Sequence, residues 1–446
     1  MKRTAADDIR TIVESFLGER APLRVTCWDG SSFGDPGATV GITVTSPTAP
    51  RRLLWNPGEL GLGRAYVAGE IELHGSIFDL LGLRDQVGGR DDDVALRLGL
   101  RDWWSFLGSV RRLGAIGPRP TPPPQEARLR GRRHSKARDA AAIRHHYDVG
   151  NDFYRLVLGP TMTYSCAYFP EPGTTLDQAQ ELKYELICRK LGLERGMRLL
   201  DVGCGWGGMV LHAAQQHGVE AVGITISAQQ ADLARQRVSE AGLGGRVEIR
   251  LQDYRDIDDG PFDAISSIGM FEHVGLEQLT AYLGQLRRLL QSGGRLVNHA
   301  ISRPRGVGGF DRDSFVARYV FPDGQLHEAG RVVSALQDEG LECRDVESLR
   351  EHYARTLRQW VANLEANWDE AVALVGAPRA RIWLLYMAGS ALGFEANRLN
   401  VHQVLATNTA PDGRSRMPAT RAGFVTAATG ADADPSEPRV LDHAHT

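Results

Sequence analysis

Apolar residues in the middle of this chain come in short runs separated by longer amphipathic stretches. Arg198–Val202, Ala221–Ile226, Val247–Leu251, Phe262–Ser267 and Gly294–Ile301 read as strands. Between them lie stretches of helical spacing, for example Ala228 to Ala241 and Leu276 to Leu290. This rhythm predicts a doubly wound α/β sheet, whose ligands sit beyond the carboxyl ends of the strands. Ahead of it, Leu23–Trp28 and Val40–Val44 read as strands and Val94–Leu113 as a helix, forming a smaller N-terminal α/β domain. The expected organisation is an N-terminal α/β accessory domain over 1–113, a linker over 114–142, a main domain over 143–407 and a flexible tail over 408–446. The linker reading rests on Pro118, Pro120 and Pro122–Pro124 followed by Arg128, Arg130, Arg132, Arg133, Lys136 and Arg138. Proline stiffens such a segment, and a basic run does not pack into a core.

Composition narrows the picture. A chain of 446 residues is long enough for two domains, and 42% hydrophobic with 24% charged residues is ordinary for a soluble globular protein. A net charge of −3 argues against a general nucleic-acid binder. No apolar run approaches the roughly 18 residues of a membrane span, and the start lacks the apolar core of a signal peptide. The five cysteines contain no C-x-x-C pair, which suits free thiols in a reducing cytoplasm and gives no zinc spacing. His145, His146, His273 and His352 show no metal spacing with a carboxylate either, so no metal is expected.

The first main-domain strand carries the clearest chemistry. It runs into Asp201-Val202-Gly203-Cys204-Gly205-Trp206-Gly207-Gly208, and a helical stretch follows. A strand ending in glycines and opening a helix lets a ligand's polar atoms approach the backbone. Dinucleotide sites use similar turns but want an acid about 20 positions on for a ribose hydroxyl. Here the second strand ends in Thr225-Ile226-Ser227-Ala228-Gln229-Gln230, which offers hydroxyls and amides instead. That combination points to S-adenosylmethionine. Ser227 reads as the cap of the next helix. The Trp206 ring either packs beneath the ligand or touches it.

Further blocks resemble the cyclopropane fatty acid synthase and mycolic acid cyclopropane synthase family. They are His145–Tyr154, Met162–Phe169, Gln252–Asp256, Gly269–Gly275 and Tyr319–Gly324, in order with the glycine turn. The resemblance covers roughly residues 143–407, and Gly58–Glu70 extends it to the first domain, as in two-domain bacterial members. It implies a Rossmann-like class I S-adenosylmethionine methyltransferase that acts on the double bond of unsaturated fatty acyl chains of phospholipids.

An isolated alkene is a weak nucleophile, so it needs a donor as strong as a sulfonium methyl. Transfer leaves a carbocation, which calls for aromatic faces, exclusion of water and a base near the new methyl. Tyr164, Tyr168, Phe169, Tyr319 and Phe321 are candidates for that lining, with plain core packing as the other reading of each. The resemblance further implies a bicarbonate ion as base, held by Cys166, Glu272, His299, Ile301 and Tyr353, with Cys166 and Ile301 acting through their backbones. Taken alone, Cys166 reads as a small buried apolar residue and His299 as a satisfied core histidine. By the same resemblance Tyr164, Ser165, Asp201, Gly203 and Gly205 face the methionine end, Thr225, Gln229 and Gln230 the ribose, and Asp253 the adenine.

Acyl chains reside in bilayers, so the expected location is cytoplasmic and peripheral at the inner face of the membrane. The Arg128–Arg138 run reads either as a contact for anionic headgroups, each basic side chain adding about 1 kcal/mol, or as a solvated linker. Two departures bear on the product: His299-Ala300-Ile301 stands where many members have His-Thr-Ile, and a glycine-rich loop, Ser302–Phe310, follows. Some actinobacterial relatives make a methylene-branched, tuberculostearate-type chain that a separate reductase completes. This product is expected here, with the cyclopropane ring as the alternative and a different small-molecule acceptor more distant. Two-domain relatives further imply a homodimer.

Overall fold

The computed structural model describes residues 3–17, 22–56, 58–87, 107–129, 131–147, 149–308 and 313–425. Its first domain holds β1 (Arg24–Cys27), β2 (Ser32–Gly34), β3 (Gly41–Val44) and β4 (Ile71–His74) in the order β2-β1-β3-β4. Helices Ala5–Leu17, Thr48–Trp55, Glu59–Val67 and Ile77–Val87 accompany them. Of the helix expected over Val94–Leu113, residues 107–112 are helical and the earlier part lies outside the described residues.

The main domain is built on seven strands: β5 (Arg198–Val202), β6 (Glu220–Thr225), β7 (Val247–Leu251), β8 (Phe262–Ile268), β9 (Leu290–Ser302), β10 (Glu342–Ser348) and β11 (Asn400–Thr407). Their order is β10-β11-β9-β8-β5-β6-β7. The run from β9 to β7 is parallel, and β11 and β10 are added antiparallel. All five strands expected from the apolar runs are present, within a few residues at their ends. Chain direction across the sheet reverses at the β5–β8 junction, which is where a doubly wound sheet opens a crevice.

Local signals explain the two helices that flank β5. Leu176–Leu191 begins at a capping box, in which Thr175 and Gln178 satisfy one another's backbone N–H groups, and ends at left-handed Gly192. Gly208–His217 begins at the glycine turn and ends at left-handed Gly218.

One hydrophobic cluster joins the two domains, with Leu60, Val67 and Ile77 packed among Phe315, Trp383 and Met387. The approach is close enough to require a glycine: a Cβ on Gly63 would lie 2.4 Å from the Phe315 ring. The 114–142 stretch, expected as a linker, acts as a strap. Trp55 Nε1 donates to the Gly117 carbonyl, Arg52 to that of Thr121, and Ala127 N to that of Arg318. Arg64 clasps the Glu126 carboxylate through two hydrogen bonds, both side chains buried. Arg133 and Arg138 bind Asp323, so much of the basic run is neutralised by the main domain, while Arg128 and Arg132 stay exposed. Arg130 lies outside the described residues. Helix Lys136–Tyr147 crosses the boundary expected at 142.

The tail expected to be loose from Asn408 is held down as far as Phe424. Asn408 donates to the Leu290 and Gln291 carbonyls, Arg421 pairs with Asp345, and Phe424 is buried. Composition misses this because a few hydrogen bonds, one ion pair and one buried aromatic hold a segment that reads as polar throughout. Residues 426–446 and Phe310 lie outside the described residues. Among the described residues no helix is long and apolar enough to cross a membrane.

Candidate active site

Two cavities meet at the carboxyl ends of β5, β6, β8 and β9. The first, of about 140 Å³, runs along the glycine turn; the second, of about 60 Å³, lies deeper. Tyr147, Tyr164, Ser165, Gly269 and His273 line both and so form their common wall.

The first cavity gathers Tyr164, Ser165, Asp201, Gly203, Gly205, Thr225, Gln230 and Asp253. Gly203 has φ +80, and its N–H and that of Cys204 both donate to the Ile224 carbonyl, which folds the turn back over β6. Thr225 Oγ1 donates to Gln230 Oε1 at 2.7 Å, and Ser227 caps the following helix by accepting from Gln230 N. Gln229 does not reach this cavity. It is exposed on the outer side of the helix, because one residue of rotation separates it from inward-facing Gln230. The Trp206 ring is on the wall, its Nε1 donating to Asn151 Oδ1 and its centroid 4.8 Å from that of the tilted Tyr154 ring.

Electrostatics here are governed by burial. The Asp201 carboxyl, which accepts from Ser266 Oγ at 2.6 Å, is pushed up to about 6. Burial would also raise Asp253, but the Arg255 guanidinium and backbone N–H that clasp it bring it below its usual value. Lys183, absent from the sequence-based expectations, is fully buried in the same wall, and its Nζ donates to Ser165 Oγ at 2.8 Å. Burial drives its ammonium down to about 7. The signal was its place on the apolar face of its helix, between Ala179 and Ile187 at four-residue spacing.

The second cavity brings together Cys166, Glu272, His299, Ile301 and Tyr353 from four separate segments. Glu272 sits in the 3₁₀ turn Phe271–His273 after β8. His299 and Ile301, two apart on β9, share a face, and Tyr353 lies in the first turn of helix Arg350–Ala366. The Cys166 thiol is fully buried, donates towards the Ala167 and Leu349 carbonyls, and is raised by burial. The Ile301 backbone N–H, expected to serve a bound anion, donates to Glu272 Oε1 at 2.6 Å.

Two polar atoms in this cavity are buried and find no partner among the described residues: Glu272 Oε2 and His299 Nε2. Gln403, opposite His299 on β11, donates its amide to His299 Nδ1 at 3.1 Å. The imidazole is neutral, since burial holds it well below its usual value, so its proton is on Nε2 and faces the cavity. The Glu272 carboxyl is pushed up to about 7 by burial, against the Ile301 N–H that favours its charge. His273, on the common wall, is driven down to about 4 by burial.

Of the aromatic residues expected as lining, Phe321 and Tyr164 are on these walls. Tyr168 and Phe169 are not: their rings stack on His352 instead, and Arg355 covers Phe169. Tyr319 also lies elsewhere, stacked on Phe315 beside the Arg64–Glu126 pair at the domain junction. Tyr147 and Tyr386 take their place. The Tyr164 hydroxyl donates to that of Tyr386 at 3.2 Å, and the Phe321 and Tyr386 rings meet edge to face at 5.7 Å.

The sheet order, the glycine turn and the cavity beneath it define an S-adenosylmethionine-dependent methyltransferase. The mycolic acid cyclopropane synthetase family matches residues 134–404. A probable fatty acid methyltransferase of Mycobacterium tuberculosis (strain ATCC 25618 / H37Rv) is 46% identical over 409 residues, 89% of this chain and 93% of that one. The tuberculostearic acid methyltransferase UfaA1 of the same strain is 34% identical over 398 residues, 86% and 87% of the two chains. Among solved structures, mycolic acid cyclopropane synthase CmaA1 complexed with SAH and CTAB superposes with a TM-score of 0.57 at 36% identity, covering 60% of this chain and 97% of that one. The chain belongs to the cyclopropane and mycolic acid synthase family of methyltransferases.

Proposed function

We propose that the protein transfers the methyl group of S-adenosylmethionine to the double bond of an unsaturated fatty acyl chain carried by a phospholipid, and releases a methylene-branched chain. The observation that carries this reading is the common wall. The first cavity, where the donor would sit, and the second share Tyr147, Tyr164, Ser165, Gly269 and His273 as lining. The second cavity is mostly apolar and aromatic, as an acyl chain and a cationic centre require.

Bicarbonate fits the second cavity. His299 Nε2–H is a buried donor facing it, Glu272 Oε2 is a buried oxygen in want of a partner, and Tyr353 is on its wall. These three side chains would hold the ion, which when bound supplies a base for the proton lost from the new methyl. A Glu272 carboxyl poised near 7 donates or accepts a proton according to what faces it. His299 and Gln403 keep one tautomer, and the aromatic wall keeps water from a cationic centre.

Similarity to a tuberculostearic acid methyltransferase supports the methylene product, in which a hydride shift precedes proton loss. Similarity to mycolic acid cyclopropane synthase CmaA1 supports the second reading, ring closure at the same double bond. Action on phospholipid places the enzyme at the inner membrane face, with exposed Arg128 and Arg132 towards anionic headgroups. A homodimer and a separate reductase consuming the product belong to the same reading.

The test is gas chromatography with mass spectrometry of fatty acid methyl esters from a heterologous host fed oleate, with and without the protein. A new ester heavier by one CH₂ supports the reading, and ozonolysis separates an exocyclic alkene from a ring. No new ester, with cofactor binding confirmed separately, would move the acceptor to another molecule.

A further inference from the structure

Outside the two cavities, one group of side chains has no role in the chemistry above. Helix Leu176–Leu191 presents Glu185 and Cys188 one turn apart, and helix Gly208–His217 presents His212 and His217 to them. One ligand atom each from Cys188, His212 and His217 lies within 4.8 Å of the other two. Both imidazole Nε2 atoms also converge on Glu185 Oε2, at 3.3 Å from His212 and 3.0 Å from His217. Arg189 pairs with the other carboxylate oxygen at 3.2 Å and fixes its orientation.

We propose that Cys188, His212, His217 and Glu185 form a binding site for a divalent transition metal of the zinc class. The donor set is one thiolate, two imidazoles and one carboxylate, the mixture that favours zinc-like ions over magnesium or calcium. Metal–nitrogen bonds of about 2.0–2.1 Å and a metal–sulfur bond of about 2.3 Å require the Cys188, His212 and His217 ligand atoms to close up by about 1 Å, with Glu185 turning in from its contacts with the two imidazoles. That movement lies within the reach of side-chain torsions. The thiol is buried while His212, His217 and Glu185 are partly exposed, which leaves an entry path from solvent.

The proton balance is explicit. Binding releases the Cys188 thiol proton to solvent, and each ligating imidazole carries its remaining proton on the other ring nitrogen. Thiolate and carboxylate then neutralise the ion's two positive charges. Such an ion would tie together the two helices whose other faces carry Lys183, Tyr184, Gly208 and Met209 on the cofactor cavity.

The test uses the full-length protein freed of metal by chelation and titrated with Co²⁺, then with Zn²⁺. One equivalent of Co²⁺ should bind with a thiolate-to-cobalt charge-transfer band, and Zn²⁺ should displace it. Cys188→Ser, a near-isosteric change whose fold is checked by circular dichroism, should lose the band. His217→Ala should weaken Co²⁺ binding by on the order of tenfold or more. A band that survives Cys188→Ser, or affinity unchanged in His217→Ala, overturns the site and leaves a hydrogen-bonded tie. If His217→Ala does not fold, Cys188→Ser decides alone.

Discussion

Replacing Glu272 by Gln should stabilise the protein at neutral and alkaline pH. The carboxyl has an ordinary value of 4.5 and is pushed up to about 7 by burial, with a single backbone donor, Ile301 N, in partial compensation. Each pKa unit is worth about 1.36 kcal/mol, so the ionised carboxylate costs the folded state about 3 kcal/mol. The sign follows from proton binding: between the two values the folded chain holds more protons than the unfolded one, so stability falls as pH rises. The favourable contribution is complete below 4.5 and is lost as pH passes through about 7. Glutamine keeps an oxygen for Ile301 N and never ionises. Urea denaturation of both proteins, followed by tryptophan fluorescence in bicarbonate-free buffer, cancels every other titrating group in the difference. The variant should gain less than about 1 kcal/mol over the parent at about pH 5 and about 3 kcal/mol at about pH 8. A gap that does not change with pH, or a variant weaker than the parent at the higher pH, would refute the assignment of the cost to a buried carboxylate.

Three other substitutions test neighbouring parts of the structure. Gln403→Leu removes the donor that fixes the His299 tautomer and should lower kcat at least about tenfold, with SAH affinity by calorimetry unchanged. Lys183→Met deprives Ser165 Oγ of its partner at the cofactor cavity, and loss of about 1.4 kcal/mol should weaken SAH binding about tenfold in the same measurement. Glu126→Ala leaves the buried Arg64 guanidinium without its carboxylate, with Asn56 still accepting from it; it should cost about 3–5 kcal/mol, read as a lowered thermal midpoint.

The parallel strands are legible because each is a buried apolar run followed by an amphipathic stretch, and the glycine turn, legible as a motif, lines the first cavity. Gln229 was misplaced for a geometric reason. Sequence spacing puts Gln229 and Gln230 side by side, whereas a helix turns about 100° between them and only one faces inwards. Tyr168, Phe169 and Tyr319 show a second limit: an aromatic residue is attracted to any apolar surface, and the chain does not say which. Tyr386 and Phe394 on the second cavity come from helix Ala377–Glu395, far along the sequence from the motifs they join. Pairs such as Glu185–Cys188 and His212–His217 escape notice because neither is a motif alone, and only the packing of two helices makes them a group.

The titratable groups around the two cavities also give the site an electrostatic direction. Lys183 lines only the first cavity, and with an ammonium value near 7 it carries part of a positive charge at neutral pH. Glu272 lines only the second, and with a carboxyl value near 7 it carries part of a negative one. Under the proposed reaction, positive charge would pass from a donor held in the first cavity, which Lys183 lines, to an acyl carbon in the second, which Glu272 lines. Charge moving down this gradient is stabilised more in the transition state than in the ground state, which is the condition for a rate increase. Both groups have these values because they are buried, and burial is also why they weaken the fold. The cost of the Glu272 carboxylate to stability and its use to the reaction therefore have one origin, and a variant that relieves the first should forfeit the second.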